Sequence, residues 1–200
     1  MNPIKDEPTR RQLMATMTGL PLMGAVQAYG AAPARIGRHD KPVLVAYLSR
    51  SGNTRVVAGL LSRSLGADLF EILPLTPYPE DYLATVEQAR KERDQGIQPA
   101  LKGSVPNMSA YATIFLGMPI WGETAPPLIR SFLSAHDLSG KTLIPFVTHG
   151  GYGLGSSQSV IARHAPRARL QAAFVMQADQ ERQTMERVHT WLGSLPAKPA

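Results

Sequence analysis

The chain has 200 residues, 44% of them hydrophobic, which suits one ordinary domain with a tail and excludes general disorder. Cysteine is absent, and with it disulfide frameworks, thiolate metal sites, cysteine nucleophiles and iron–sulfur clusters. A net charge of +6 favours anionic partners, but no basic cluster is interleaved with aromatics, so nucleic acid is not an expected partner.

The first 34 residues read as an export signal. Thr9-Arg10-Arg11-Gln12-Leu13-Met14 is followed by a stretch, Gln12 to Ala34, without any charged residue or histidine. A basic start, an apolar run and a small-residue end are its three parts. The run Leu13–Ala28 is diluted by Thr16, Thr18, Gly19, Pro21 and Gly24. It falls short of the about eighteen apolar residues that a membrane-spanning helix requires. Ala32-Pro33-Ala34 and Val26-Gln27-Ala28 are candidate cleavage sites, and an uncleaved anchor is the alternative. The adjacent arginines resemble the twin-arginine signal, which exports folded proteins. Cleavage after Ala34 would leave 18 basic and 13 acidic residues, a net +5. Residues 35–41 read as a linker, 42–195 as the domain and 196–200 as a tail; no stable membrane span is expected in the mature chain.

Val43–Leu48 reads as a strand buried on both faces. A helix from Asn53 to about Gly66 puts Val56, Val57, Leu60 and Leu61 on one stripe. Asp68–Leu73 suits an edge strand. A proline-rich loop leads to a charged helix over 80–95, whose sparse apolar positions are Tyr82, Val86 and Ala89. Thr113–Met118 is a second buried strand, and Leu128, Ile129, Phe132 and Leu133 mark a helix introduced by Pro126 and Pro127. Leu143–Val147 is the next strand, with Pro145 expected to delay its ladder because proline lacks a donor. A helix follows Ser156-Ser157, then a weak strand at Ala172–Met176, then a helix carrying Met185, Val188, Trp191 and Leu192. Alternation of this kind argues for a three-layer α/β domain whose parallel sheet is covered by helices on both faces. Ligands then bind beyond the carboxyl ends of the strands.

Three loops lie there. The first, Ser49-Arg50-Ser51-Gly52-Asn53-Thr54, joins hydroxyls and a tight glycine turn to a helix N-terminus. It fits a phosphate cradle or an ordinary capped turn. The second is Pro119-Ile120-Trp121-Gly122, where Trp121 offers a flat face for stacking or packs on its own loop. The third, Thr148-His149-Gly150-Gly151-Tyr152-Gly153, lets backbone approach a ligand closely, with Tyr152 as a second aromatic wall.

Residues 42–195 resemble the flavodoxin-like family of FMN proteins. Ser49–Thr54 is similar to its S/T-x-S/T-G-N-T loop, and Gly117–Trp121 and Thr148–Gly153 are similar to the G-x-P-I-W and T-[S/H]-G-G-x-G segments of one branch. Tyr78-Pro79-Glu80-Asp81-Tyr82, Leu138–Thr142 and Pro145-Phe146 also look like that branch. The resemblance implies a five-stranded parallel sheet in the order 2-1-3-4-5 and non-covalent FMN. It puts the phosphate on Ser49, Ser51, Gly52, Asn53 and Thr54, and the ring on Pro119–Gly122 and Thr148–Gly153 with Trp121 stacked. Gly122 departs from relatives that carry a second aromatic, and Arg50, counted with the cofactor-binding residues of the loop, adds a charge that a neutral cradle does not need.

Gly140-Lys141-Thr142 is not a P-loop, because Ala135 stands at its first glycine and a strand follows. His39, His136, His149, His164 and His189 lack metal-ligand spacing, and His149 alone falls near the expected ring. Ser156 and Ser157 read as a helix cap, and Arg90–Asp94 as a solvated face. The function this supports is electron transfer through FMN in the cell envelope, in the periplasm, with a redox partner protein or small-molecule acceptor and no catalytic side chain. The +5 charge implies a less negative potential for the anionic reduced flavin than an acidic flavodoxin shows. An NAD(P)H-dependent quinone or flavin reductase is the alternative, although no G-x-G-x-x-G opens a helix. A binding module that has lost the flavin is the third reading.

Overall fold

The computed structural model describes residues 42–177, 188 and 190–195. The signal, linker, tail and Met185, with His39 and His189, lie outside the described residues. The chain runs β1 (Val43–Tyr47), α1 (Asn53–Leu65), β2 (Asp68–Glu71), α2 (Tyr82–Asp94), β3 (Thr113–Pro119), α3 (Pro127–Ala135), β4 (Thr142–His149), α4 (Ser157–His164), β5 (Arg169–Leu170) and β6 (Phe174–Gln177). Residues 188 and 190–194 are helical. All strand pairs are parallel, in the expected order β2-β1-β3-β4-β5, with β6 also on β4.

The apolar runs divide by parity, because successive side chains of a strand point to opposite faces. Leu44, Ala46, Ile114, Leu116, Met118, Leu143 and Val147 pack with Leu128, Ile129, Phe132 and Leu133 of α3 and Ile161 of α4. Val43, Val45, Tyr47, Phe115, Ile144 and Phe146 pack with Val57, Leu60 and Leu61 of α1 and with Val188 and Leu192. Trp191 stacks on Phe174 at 4.7 Å, as a core residue of the last helix should. Each large side chain buried this way stabilises the fold by about 1.5–3 kcal/mol before entropy is counted.

Pro145 does not delay the ladder of β4, and the fifth strand is not one run. Thr142 N donates to Ala112 O and Thr148 O accepts from Ile120 N, so even-numbered residues of β4 face β3. Leu143 O accepts from Gln171 N and Lys141 O from Arg169 N, so odd-numbered residues face the outer edge. The donor that Pro145 lacks is therefore missing only on that edge. There the pairing passes from Leu143↔Leu170 to Phe146↔Phe174, with residues 171–173 opposite 144–145. One extra residue makes a bulge. Gln158 of α4 donates to Gln171 O at 2.9 Å and satisfies the carbonyl freed by the break.

Two helices turn faces other than the expected ones. Val56 on α1 is exposed, and on α2 Tyr82 and Val86 are 66% and 45% exposed. The buried residues of α2 are Thr85, Ala89 and Glu92. Small side chains let this helix approach closely, and its start is fixed by Asp81 Oδ1, which accepts from Ala84 N at 2.8 Å.

Gly117, in the middle of β3, lies directly against the Phe146 ring, where an added Cβ would overlap the ring carbons. Phe146 is fully buried and has nowhere to move. Gly117→Ala should cost about 2 kcal/mol or more. Gly117→Ala with Phe146→Leu should cost less than the sum of the two single changes, as measured by urea unfolding.

Candidate functional site

The first loop closes on a hydroxyl. Ser49 Oγ accepts from Gly52 N at 3.1 Å and Arg55 N at 3.3 Å, so it caps α1 from three residues upstream of the left-handed Gly52 (φ 97°). The N–H groups of Asn53 and Thr54, in the first helical turn, have no acceptor among the described residues. They are the donors that a helix start offers to an anion. Ser51 is exposed and Asn53 half-buried beside them. Arg50, expected among the cofactor-binding residues, is instead turned away: its Nη2 donates to Glu80 O at 3.0 Å and its guanidinium lies 5.6 Å over the Tyr82 ring. That leaves the cradle built from neutral donors.

The third loop is tied to the first beneath the surface. Thr54 Oγ1 and Thr148 Oγ1 share a hydrogen bond of 2.8 Å, with both residues buried. Above it, His149 Nδ1 accepts from Gly151 N at 3.0 Å and Gly153 N at 3.1 Å. A ring nitrogen that accepts twice carries no proton, so the N–H is on Nε2. His149 therefore shapes the loop, while Gly150, Gly151 and Tyr152 stay exposed, Tyr152 at 79%.

The second loop turns sharply. Trp121 and Thr124 form an antiparallel bridge, with Trp121 N donating to Thr124 O at 3.0 Å. Gly122 and Glu123 between them both have positive φ, 57° and 61°, the geometry of a type I′ turn. Ile120 N donates to Thr148 O at 3.1 Å, Ser156 N to Glu123 O at 2.9 Å, and Ser156 Oγ to Thr124 Oγ1 at 2.9 Å. Gly155 lies against the Glu123 carbonyl, where no Cβ fits. Loops two and three are thus one stitched surface, and Ser156 is part of the stitching.

Trp121 is held from its edge. Tyr78 packs against it T-shaped, centroids 5.1 Å apart and planes at 89°. The Tyr78 hydroxyl donates to Glu92 Oε2 at 2.7 Å, and Gln88 Nε2 donates to Glu92 Oε1 at 2.8 Å. Burial, then the Glu92 carboxylate, push the Tyr78 pKa well above the ordinary tyrosine range, so its hydroxyl remains a donor. Glu92, only 7% exposed, corrects the reading of Arg90–Asp94 as a solvated face. Arg93 from the same run reaches Gly122. Sequence reasoning missed Glu92, Gln88 and Arg93 as site residues, and the one signal toward them was the Tyr78-Pro79 motif.

Two clefts, of about 360 and 510 Å³, lie elsewhere and contain none of the loop residues. His136, beside the first, is used structurally: its Nε2 accepts from Val105 N at 3.0 Å. Among the described residues, no helix is long and apolar enough to cross a membrane.

The family model described as flavodoxin matches residues 42–195. The chain belongs to the flavodoxin family. A candidate flavoprotein from Bacteroides eggerthii is 31% identical with a TM-score of 0.69, covering 80% of this chain and 100% of its own. Another, from Bacteroides uniformis, is 27% identical with a TM-score of 0.68, covering 76% of this chain and 98% of its own. A flavoprotein from Lactobacillus acidophilus, solved in complex with FMN, is 20% identical with a TM-score of 0.59, covering 73% and 99%; at that identity the likeness is one of fold. No curated protein matches the chain.

The paired threonines give a direct test of how the family's loops are joined here. Thr54→Val or Thr148→Val alone leaves one buried hydroxyl unpartnered and should cost about 1–3 kcal/mol. The double variant should cost clearly less than the sum, as read from urea denaturation of all four proteins.

Proposed function

We propose that this flavodoxin-family chain holds FMN non-covalently across its three loops and passes electrons through it. The observation that carries the reading is the joining of a cradle of unpaired first-turn N–H groups to a ring loop through the Thr54–Thr148 bond. The residues present fit the group. The Ser51 hydroxyl and the N–H groups of Asn53 and Thr54 are neutral donors for the phosphate, with the Gly52 turn, closed on Ser49, setting their geometry and Arg50 held outside. Pro119, Ile120, Trp121 and Gly122 supply one side of the ring site, and Thr148, His149, Gly150, Gly151, Tyr152 and Gly153 the other. When bound, FMN supplies the electron storage. The chain's own residues bind and orient it, and none is required to transfer a proton.

Within that division Thr54 and Thr148 act from below, because their hydroxyls are buried in each other. Trp121 contributes a face and Tyr78 keeps it from rotating. A redox partner protein or a small-molecule acceptor then meets the open edge at Gly122 and Tyr152, both exposed. Reduction by NAD(P)H is the second reading, supported by the exposure of Gly122 and Tyr152 at the loop edge. Rapid bleaching of bound flavin by NADH or NADPH with quinone turnover would favour it.

Localisation in the periplasm is part of the proposal and rests on residues 1–34, with Arg10-Arg11 as a twin-arginine signal cut after Ala34 or Ala28. A cofactor inserted in the cytoplasm calls for export of a folded protein. Replacing Arg10 and Arg11 together by Lys should leave the protein in the cytoplasm with its leader attached; unchanged periplasmic recovery would remove this signal from the account.

The purified protein should be yellow and release close to one FMN per chain on heating. Trp121→Ala should raise the FMN dissociation constant about 2- to 12-fold, the equivalent of ~0.5–1.5 kcal/mol of aromatic contact. A colourless protein that takes up no added FMN would overturn the assignment of the loops.

A further inference from the structure

Gly122 has no side chain at the point where Trp121 enters its turn, and the space that a Cβ would occupy there is filled by the Arg93 guanidinium. Arg93 comes from the last turn of α2, 29 residues upstream, and its Nε donates to Asp94 at 2.9 Å. Its carbonyl accepts from Arg130 Nη1 of α3 at 3.4 Å. Arg130 is half-buried, and its Nε is buried without a partner among the described residues. Burial first, then the positive charges of Arg93 and of Arg163 on α4, lower the Arg130 pKa, with Asp94 opposing them. Arg93 thus brings positive charge to the second loop, with Arg130 of α3 bonded behind it. Self-repulsion of this kind disfavours the folded chain unless negative charge develops beside it.

We propose that Arg93 is the charge-recognition residue of the ring site, standing where Gly122 leaves the edge open and favouring the negatively charged reduced flavin over the neutral oxidised one. This rests on the FMN reading of the loops and deepens it. Two electrons and one proton, supplied by a reductant such as dithionite, convert the neutral oxidised ring into a ring with one negative charge. A fixed guanidinium beside the loop interacts with that new charge and much less with the neutral ring. Asp94, paired with Arg93, partly cancels the effect, and Arg130, bonded to the Arg93 carbonyl, adds to it.

The test compares dissociation constants of oxidised FMN and of dithionite-reduced FMN, measured anaerobically on the full chain. Arg93→Gln should weaken binding of reduced FMN relative to oxidised FMN by about 3- to 10-fold, the size expected of one partly screened charge. Arg93→Lys should recover most of the ratio, since it retains the charge without the planar fork. Asp94→Asn should move the ratio the other way, which a merely structural loss at α2 would not do. If wild type and Arg93→Gln bind FMN with the same ratio, the role of Arg93 is overturned and the FMN reading stands. If wild type binds neither form, both are overturned.

Discussion

A parallel sheet with a crossover after each strand delivers every strand-to-helix loop to the same edge, but it does not join those loops to one another. Here the joining is done by a hydrogen bond between two small side chains, Thr54 on the first turn of α1 and Thr148 near the end of β4. The strands these loops follow, β1 and β4, are separated by β3, so the bond spans the middle of the sheet edge. Both hydroxyls are buried, and a lone hydroxyl there would be disfavoured by the full cost of desolvation. The first and third loops therefore hold one relative position, and Ser156 extends the same rigidity to the second loop.

Much of this was legible in the chain because the signals were local. Five-residue apolar runs such as Val43–Tyr47, too short for a helix and followed by turn residues, read as strands buried on both faces, and the parity split between the two cores follows from the pleat. Ser49–Thr54 announces a helix start, and Gly150, Gly151 and Gly153 announce a loop without steric walls. What was not legible depended on direction or distance. Pro145 reads as a defect until it is known which way its missing donor points, and it points to the edge where the fifth strand is already broken. Tyr82 and Val86 read as the buried face of α2, but the helix is seated on Thr85, Ala89 and Glu92, a stripe with one carboxylate in it. Hydrophobic periodicity has no way to choose that stripe, because Glu92 is acceptable there only through Tyr78 and Gln88.

The chain Glu92–Tyr78–Trp121 makes α2 part of the site although none of its residues lies in the three loops. An aromatic ring held only by its own loop can rotate about two side-chain bonds. One packed edge-on against a second ring, itself anchored by a hydrogen bond to a buried carboxylate, has little freedom left. The run Arg90–Asp94 accordingly divides by helical position: Glu92 turns inward to Tyr78, Arg93 reaches Gly122, and Arg90 remains at the surface paired with Glu87. A mixed-sign run of this kind looks uniformly solvated only while it is read as a line instead of a helix.

Arg50 and Arg93 therefore have opposite relations to the site. Arg50 belongs to the cradle by sequence, yet its guanidinium is occupied by Glu80 O and the Tyr82 face, so the anion end is left to backbone donors and hydroxyls. Arg93 lies far from the loops in sequence but is placed against Gly122 by the length and start of α2, which Asp81 sets. Neutral donors suit a phosphate whose charge does not change during electron transfer, because they hold it equally in every redox form. On the proposed FMN reading, charge changes only at the ring, whose edge that reading puts at Gly122, against the Arg93 guanidinium. The glycine at 122 is then not a missing aromatic but the opening through which a residue of another helix reaches the edge.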